Sequence, residues 1–343
     1  MQNTIDIGWL DIGVREDSRL AVLNQGRLQR VIDDLPDPDT QHPSLCVFFG
    51  GKTKNHALQH LYPLNNIKRH SSAALIKLRS NVASLQSRRP VLLADGDIPH
   101  TKNTCPTRRL NAGMGLPVSW DNGSADKVLQ VLWSRLIFLF ANVVCIFIDN
   151  TSELDDAARF LIECLRLRSA SSFPPSLLPR AIFIYGAGIE QGGTEIEGGH
   201  PLYLKIRNAG FSDMSGIFSG TTSIYLQPGP LSYVAKYQRL HALVADQTDE
   251  LSYTRQEYQG LPTATHFTAL FQSAFRHTVD NNNSPFDAVR ATREDRPVNL
   301  CAESHLAHYL EVGLCANIRP DELTPAIATA LFMNHYTPGM LGM

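Results

Sequence analysis

The residues with chemistry to offer gather in one stretch, PSLCVFFGGKTKNHALQHLY, residues 43–62. Its apolar run, Leu45 to Phe49, reads as a short buried strand that turns through Gly50 and Gly51 into a lysine-bearing segment and then a helix. Strand, glycine turn and helix in that order build a phosphate-binding loop, because glycines let backbone N–H groups crowd around an anion at a helix N-terminus. Gly50, Gly51, Lys52, Thr53 and His56 are therefore the candidate phosphate contacts.

A complete loop of this kind is G-x-x-x-x-G-K-[ST], its lysine reaching the outer phosphates and its hydroxyl holding magnesium. Counting from Gly50 puts Asn55, His56 and Ala57 where Gly, Lys and Ser/Thr belong. Reading Gly51-Lys52-Thr53 as the G-K-T instead starts the loop at Cys46, inside the apolar run and with almost no strand before it, so that register is rejected. The frame is present and its reacting side chains are replaced. Lys52 and Lys54 still attract an anion weakly, and a glycine turn in an ordinary α/β domain fits the same residues.

A second landmark is RPVLLADGD, residues 89–97, where an apolar run delivers Asp95 to the C-terminal edge of a parallel sheet. Nucleotide hydrolases hold magnesium with such an aspartate, in the pattern D-x-x-G. Ile98 stands at the fourth position. Asp95 is thus the candidate metal ligand, while a strand-end aspartate capping a turn is the structural alternative. After a later apolar run, Ala181 to Tyr185, a GTP-binding chain would carry [NT]-K-x-D; here Gly186-Ala187-Gly188-Ile189 follows. Guanine specificity has no residue to carry it, and the spacing of Gly186, Gly188 and Gly192 misses the dinucleotide pattern G-x-G-x-x-G.

The elements that must position these groups follow from apolar periodicity. Residues 1–42 read as an N-terminal extension closed by the acidic, Pro-containing linker 33–43. Ala57, Leu58 and Leu61 give a short helix one apolar stripe, ended by Pro63. SSAALIKL, 71–78, is ambiguous and leans to strand. The segment 99–126 reads as a loop near the arginine pairs Arg88-Arg89 and Arg108-Arg109. A helix over about 127–140 then leads into a buried strand, Val143 to Ile148. Thr151 or Ser152 caps the next helix, with Leu154, Ala157, Ala158, Leu161, Cys164 and Leu165 as its buried face. Residues 190–231 read as an irregular insertion with a hairpin. From Ser232 the period is helical, with Tyr233, Tyr237, Leu240 and Val244 on one stripe and Phe267, Leu270, Phe271, Ala274 and Phe275 on another. Two more helices follow, over 300–312 and 322–334.

Length and composition bound the rest. The chain has 343 residues, 43% hydrophobic and 19% charged, so it suits a globular protein of roughly two domains. A formal net charge of −2 gives no global attraction to nucleic acid or to an anionic membrane. The apolar run 136–148 is too short to span a bilayer, and the N-terminus lacks the pattern of a secretory signal, so the expectation is a cytoplasmic protein. Six scattered cysteines with no C-x-x-C predict buried reduced thiols. His305 and His308 stand at i, i+3 without an acidic or Cys partner at ligand spacing, so they read as ordinary histidines.

On PSLCVFFGGKT, RPVLLADGD, VLQVLWSRLIFLFANVVCIFID, LLPRAIFIYG and HFTALFQSAFRHTVDNNNSPFDAVRATREDRPVNL…HL…YTPGM, the chain resembles the region N-terminal to the lipase domain of fungal patatin-like phospholipase proteins. That region looks like a P-loop GTPase-type domain, and its better-preserved members carry G-x-x-x-x-G-K-S and D-x-E-G at these places. This sequence departs at Asn55, His56, Ala57 and Ile98, and it contains no G-x-S-x-G elbow, so phospholipase activity is not expected. The resemblance implies an α/β fold, doubly wound, with a mostly parallel sheet of P-loop NTPase type over 43–231 and an appended helical region over 232–343. The function expected is that of a non-hydrolysing binding or regulatory module whose partner is a protein or a phosphate-bearing small molecule. One alternative is a weak NTPase that uses Lys52 and Asp95 on GTP or ATP with Mg. Another is an accessory enzyme of a fungal biosynthetic pathway, its pocket lined by His56, Asp95 and Arg108.

Overall fold

The computed structural model describes residues 6–65, 67, 74–98, 105–111, 113–120, 124–167, 174–186, 188–189, 200–226, 232–258, 260–281, 283–288, 291 and 302–335. The chain opens with a hairpin, β1 (Gly8–Val14) and β2 (Leu20–Asn24), and a short helix, α1 (Arg27–Asp33). The glycine stretch supplies β3 (Ser44–Phe49) and α2 (Lys52–Leu61), followed by β4 (Ile76–Ser80) and β5 (Val91–Gly96). Two short strands, β6 (Arg108–Arg109) and β7 (Leu116–Pro117), precede α3 (Ala125–Val131). That helix continues through a π-helical turn, Leu132–Ile137, into α4 (Phe138–Phe140) and β8 (Ala141–Ile148). Then come α5 (Thr151–Leu167), β9 (Arg180–Tyr185), α6 (Pro201–Asn208) and β10 (Gly220–Tyr225). Two long helices, α7 (Tyr233–Glu257) and α8 (Ala264–Asp280), are followed by α9 (Ala302–Cys315) and α10 (Pro320–His335).

Among the described residues the strands form one mixed sheet in the order β10-β9-β8-β3-β5-β4-β1-β2-β7, with β6 paired to β1. The strands from β5 through β3, β8 and β9 to β10 are parallel. The other half is antiparallel, apart from the short β6 ladder, which runs parallel to β1. The mostly parallel sheet expected from the sequence is therefore corrected to a mixed one. Arg15–Arg19 closes the β1–β2 link with a backbone hydrogen bond of 2.9 Å, and a link that short can join only antiparallel neighbours, whereas each parallel step needs a crossover.

The parallel strands read as apolar runs because both faces are covered. On one face α2 and α7 lie over β3, β8 and β9, burying Phe48, Leu58, Phe147, Ile184, Leu240 and Val244 in one cluster. On the other, Phe49 meets Trp133 edge-on at 4.3 Å, while Trp9 stacks on Phe271 of α8 at 4.8 Å. The apolar stripes read for α5 and α8 are buried, as is that of α7 apart from exposed Tyr233.

Three sequence expectations change. Residues 1–42, read as an extension, supply β1, β2 and α1 to the sheet unit. Within 190–231, where a hairpin is expected, the described residues 200–226 hold α6 and β10, the latter paired in parallel with β9 from Gly220 to Tyr225. The chain divides into compact units of residues 1–286 and 287–343, so α7 and α8 belong with the sheet and the second unit holds α9 and α10.

Candidate functional site

The glycine junction is shorter than a phosphate loop. β3 ends at Phe49 and α2 begins at Lys52, which leaves Gly50 and Gly51 between them. Counted from Gly50, the motif's later positions fall inside α2; counted back from Gly51-Lys52-Thr53, Val47, Phe48 and Phe49 would have to form loop while they lie in β3. A cradle of N–H groups needs those intervening residues off the ladder. Gly50 has a packing reason of its own. Its φ is +132°, and a Cβ there would stand 2.8 Å from Phe147 Cβ and 3.0 Å from Phe147 O.

Lys52, the sequence candidate, is exposed at the start of α2; Thr53 is half-buried and His56 exposed. His56 and His60 both approach the ring of Tyr233, with His60 stacked on it at 4.6 Å. The lysine that turns inward is Lys54, two residues further along α2. Its side chain is 2% exposed. Its Nζ donates to Gly96 O at 3.0 Å and to Asp97 Oδ1 at 3.3 Å, and lies 3.7 Å from Asp95 Oδ2.

Sheet register assembles the other half of this cluster. Phe48 of β3 stands opposite Asp95 of β5, which places the carboxylate beside the end of the glycine strand. Across the antiparallel β4–β5 ladder, Lys77 faces Asp95 and Arg79 faces Leu93. Residues two apart share a sheet face, so Arg79 and Asp95 are diagonal neighbours there. Arg79 Nη1 donates to Asp95 Oδ1, and both side chains are buried. The Cα of Gly96 faces the opposite layer, where an added Cβ would meet Trp133 Cζ2 at 2.6 Å. That contact explains the glycine after Asp95 and ties the π-helical turn to the same strand.

Asp95 is therefore held between two cations. Two buried positive charges on one carboxylate oppose the binding of a divalent metal there, since the metal would have to displace or repel them. Among the described residues no group of three or more His, Cys, Asp or Glu side chains converges as a metal site. His56 and Arg108, grouped with Asp95 as a possible pocket lining, are committed elsewhere. His56 lies against Tyr233, and Arg108 Nε pairs with Asp11 Oδ2 at 3.4 Å. Burial raises the Asp11 carboxyl above its ordinary value, opposed in part by the Ile12 amide and by Arg108.

The segments that follow β8 and β9 pack closely against each other. Gly186 and Gly188 back onto Asp149: a Cβ at either would stand 2.6 Å from an Asp149 oxygen. Asn150 Oδ1, rather than Thr151 or Ser152, caps α5 by accepting from the Glu153 amide at 3.0 Å, while Glu153 Oε2 accepts from the Asp149 amide at 2.8 Å. Burial first, then the Asp149 charge, pushes the Tyr237 hydroxyl up. Gly192 lies outside the described residues.

At the other end of the strands, Asn142 explains why a polar residue interrupts the longest apolar run. Its Oδ1 accepts from the Leu45 amide at 3.1 Å and from Arg255 Nη1 at 3.3 Å, and its Nδ2 donates to Ser252 Oγ at 3.0 Å. Arg255 is buried without a carboxylate, donating to the carbonyls of Phe140, Ala141 and Leu177. Burial pulls its guanidinium down to about 10. This network fastens α7 to β3 and β8, a structural task.

An open groove of about 490 Å³ lies between α5 and α6. Its charges are paired: Lys205 Nζ meets Asp155 Oδ1 at 2.6 Å, and Arg166 meets Glu163. Cys46, Cys105, Cys145 and Cys164 are buried free thiols, whereas Cys315 is exposed; Cys301 lies outside the described residues. Among the described residues no helix is long and apolar enough to cross a membrane. No protein-family model and no curated protein matches this chain.

Proposed function

We propose that this chain is a degenerate phosphate-loop domain of GTPase type that acts by binding, to a protein or to a phosphate-bearing small molecule, and does not turn over nucleotide. Lys54 carries the reading. The lysine that lies beside the Asp95 strand is engaged by Gly96 O and Asp97 and faces the Asp95 charge, so its ammonium is turned to internal partners rather than to a transferring phosphoryl group. Phosphoryl transfer is almost entirely positioning and charge stabilisation, and a missing charge contact alone costs about 3 kcal/mol of barrier. The fold assignment is supported by the strand order. The glycine strand lies between the Asp95 strand and β8, with two more parallel strands beyond β8 and an antiparallel series, β4, β1, β2 and β7, beyond the Asp95 strand. A parallel block that extends to both sides of the glycine strand supports the doubly wound reading.

The test is calorimetric titration of the intact protein with GTP and ATP, each with and without magnesium. The expected result is no binding tighter than millimolar that depends on magnesium. Sub-millimolar, magnesium-dependent binding accompanied by release of phosphate, both lost in Asp95→Ala, would overturn the proposal.

A further inference from the structure

The charges around Lys54 do not balance within the protein interior. Lys54 and Arg79 are both buried, and one buried carboxylate, Asp95, faces the two of them. The remaining positive charge is answered by Asp97, which stands 3.3 Å from an ammonium that is itself 2% exposed, yet keeps a side chain 78% exposed. A buried cation without a counter-charge is costly. Here the compensating anion comes from the solvent side.

Asp97 lies one residue past the end of β5, so its side chain can turn away without disturbing a ladder. If it does, Lys54 keeps Gly96 O and Asp95 and gains one free donor on the side where the exposed Asp97 carboxylate stood. Arg79 Nε is also buried without a hydrogen-bond acceptor. The buried pair thus has donor capacity and charge that Asp95 alone does not satisfy.

We propose that the Asp97 carboxylate is a displaceable internal occupant of an oxyanion site on Lys54, and that the ligand that displaces it carries a phosphate-type group. This rests on the reading of the domain as a non-hydrolysing binder and names its ligand chemistry. A phosphate brings more charge and more acceptor oxygens than one carboxylate, and ionised donor–acceptor bonds of this kind are the strong ones. Asp97 then sets affinity by competition, holding the site shut against weak anions.

The experiment titrates the full chain with inorganic phosphate and pyrophosphate by calorimetry, with GDP and ADP as separate arms. It compares the unaltered protein, Asp97→Ala, Asp97→Asn and the double variant Asp97→Ala/Lys54→Met. Removing a like charge beside the site is expected to tighten pyrophosphate binding by about tenfold or more. Pyrophosphate is also expected to raise the melting temperature of Asp97→Ala, and both effects should vanish in the double variant. Equal gains for pyrophosphate and the nucleotides support recognition of the phosphate group itself, and larger gains for a nucleotide support a ligand that carries a base. If Asp97→Ala fails to fold, Asp97→Asn carries the same comparison with the side-chain shape kept. Affinity unchanged by both Asp97 variants, or a gain that survives Lys54→Met, overturns the inference. Either result leaves the non-hydrolysing reading standing, since that reading fails on nucleotide turnover instead.

Discussion

Exchanging Lys54 for Met tests which lysine the fold depends on. Lys54→Met keeps the length and apolar stem of the side chain and removes a charge bonded to Gly96 O and Asp97 and facing Asp95. Breaking a buried pair by removing one partner costs about 3–5 kcal/mol, and Arg79 still holds Asp95, so the lower end, about 3 kcal/mol, applies. Asp95→Asn strips both buried cations of their shared partner and should cost about 5 kcal/mol. Asp97→Ala leaves one buried positive charge without its counter-charge, but at a position solvent reaches, so it should cost about 1–2 kcal/mol, less than Lys54→Met. Lys52→Ala, at an exposed position, should fall within about 0.5 kcal/mol of the unaltered protein. Urea unfolding followed by circular dichroism reads the series. With a slope of about 3 kcal/mol per molar, Lys54→Met moves the midpoint down by about 1 M while Lys52→Ala leaves it in place. The order Asp95, Lys54, Asp97, Lys52 is the prediction. A Lys52→Ala loss larger than that of Lys54→Met, or a neutral Asp95→Asn, would refute the buried cluster.

Other expectations follow from neighbouring geometry. Gly50→Ala forces a Cβ into Phe147 at a positive φ and should cost about 2–4 kcal/mol in the same assay, whereas Gly51→Ala, where an added Cβ meets Glu153 Oε1 at 3.7 Å, should cost under about 1 kcal/mol; equal losses would count against the junction described. Arg255→Met leaves Asn142 Oδ1 and three carbonyls short of a donor and should lower stability by about 2–4 kcal/mol, with a neutral result showing that α7 is fastened by packing alone. Burial raises the Cys46 thiol from 9.0 to about 11, so the unfolded chain loses this proton first as pH climbs. The advantage of the unaltered protein over Cys46→Ala should therefore shrink between pH 9 and 11 by up to about 2–3 kcal/mol, and an advantage that grows there would contradict the burial.

The glycine stretch, the Asp95 strand and the strand ending at Ile148 were legible because each is a compact apolar run with punctuation at its end. The long helices were legible from their 3.6-residue stripes. The first two strands and β10 were not: GWLDIGV is buried almost throughout yet carries two glycines and an aspartate, GTTSIY is short of apolar residues, and their pairing depends on residues far away in the chain. At the site, spacing singled out Lys52, whereas the lysine packed beside Asp95 is Lys54. A motif register favours Lys52 because it follows a glycine pair. The decision between Lys52 and Lys54 rests on which face of α2 turns to the sheet, and Ala57, Leu58 and Leu61 already mark that face in the sequence. Lys54 stands three residues before Ala57 and four before Leu58, on the same stripe. Arg79 could not have been found this way, because a diagonal contact across two strands leaves no local trace.

The most direct test of the central claim is phosphate release from GTP and ATP with magnesium, measured on the intact protein alongside Lys54→Met and Asp95→Asn. The prediction is a rate at the buffer background for all three proteins, because the internal salt bridges hold Lys54 and Arg79 to carboxylates of the protein itself. A rate above background in the unaltered protein that falls away in either variant would contradict it.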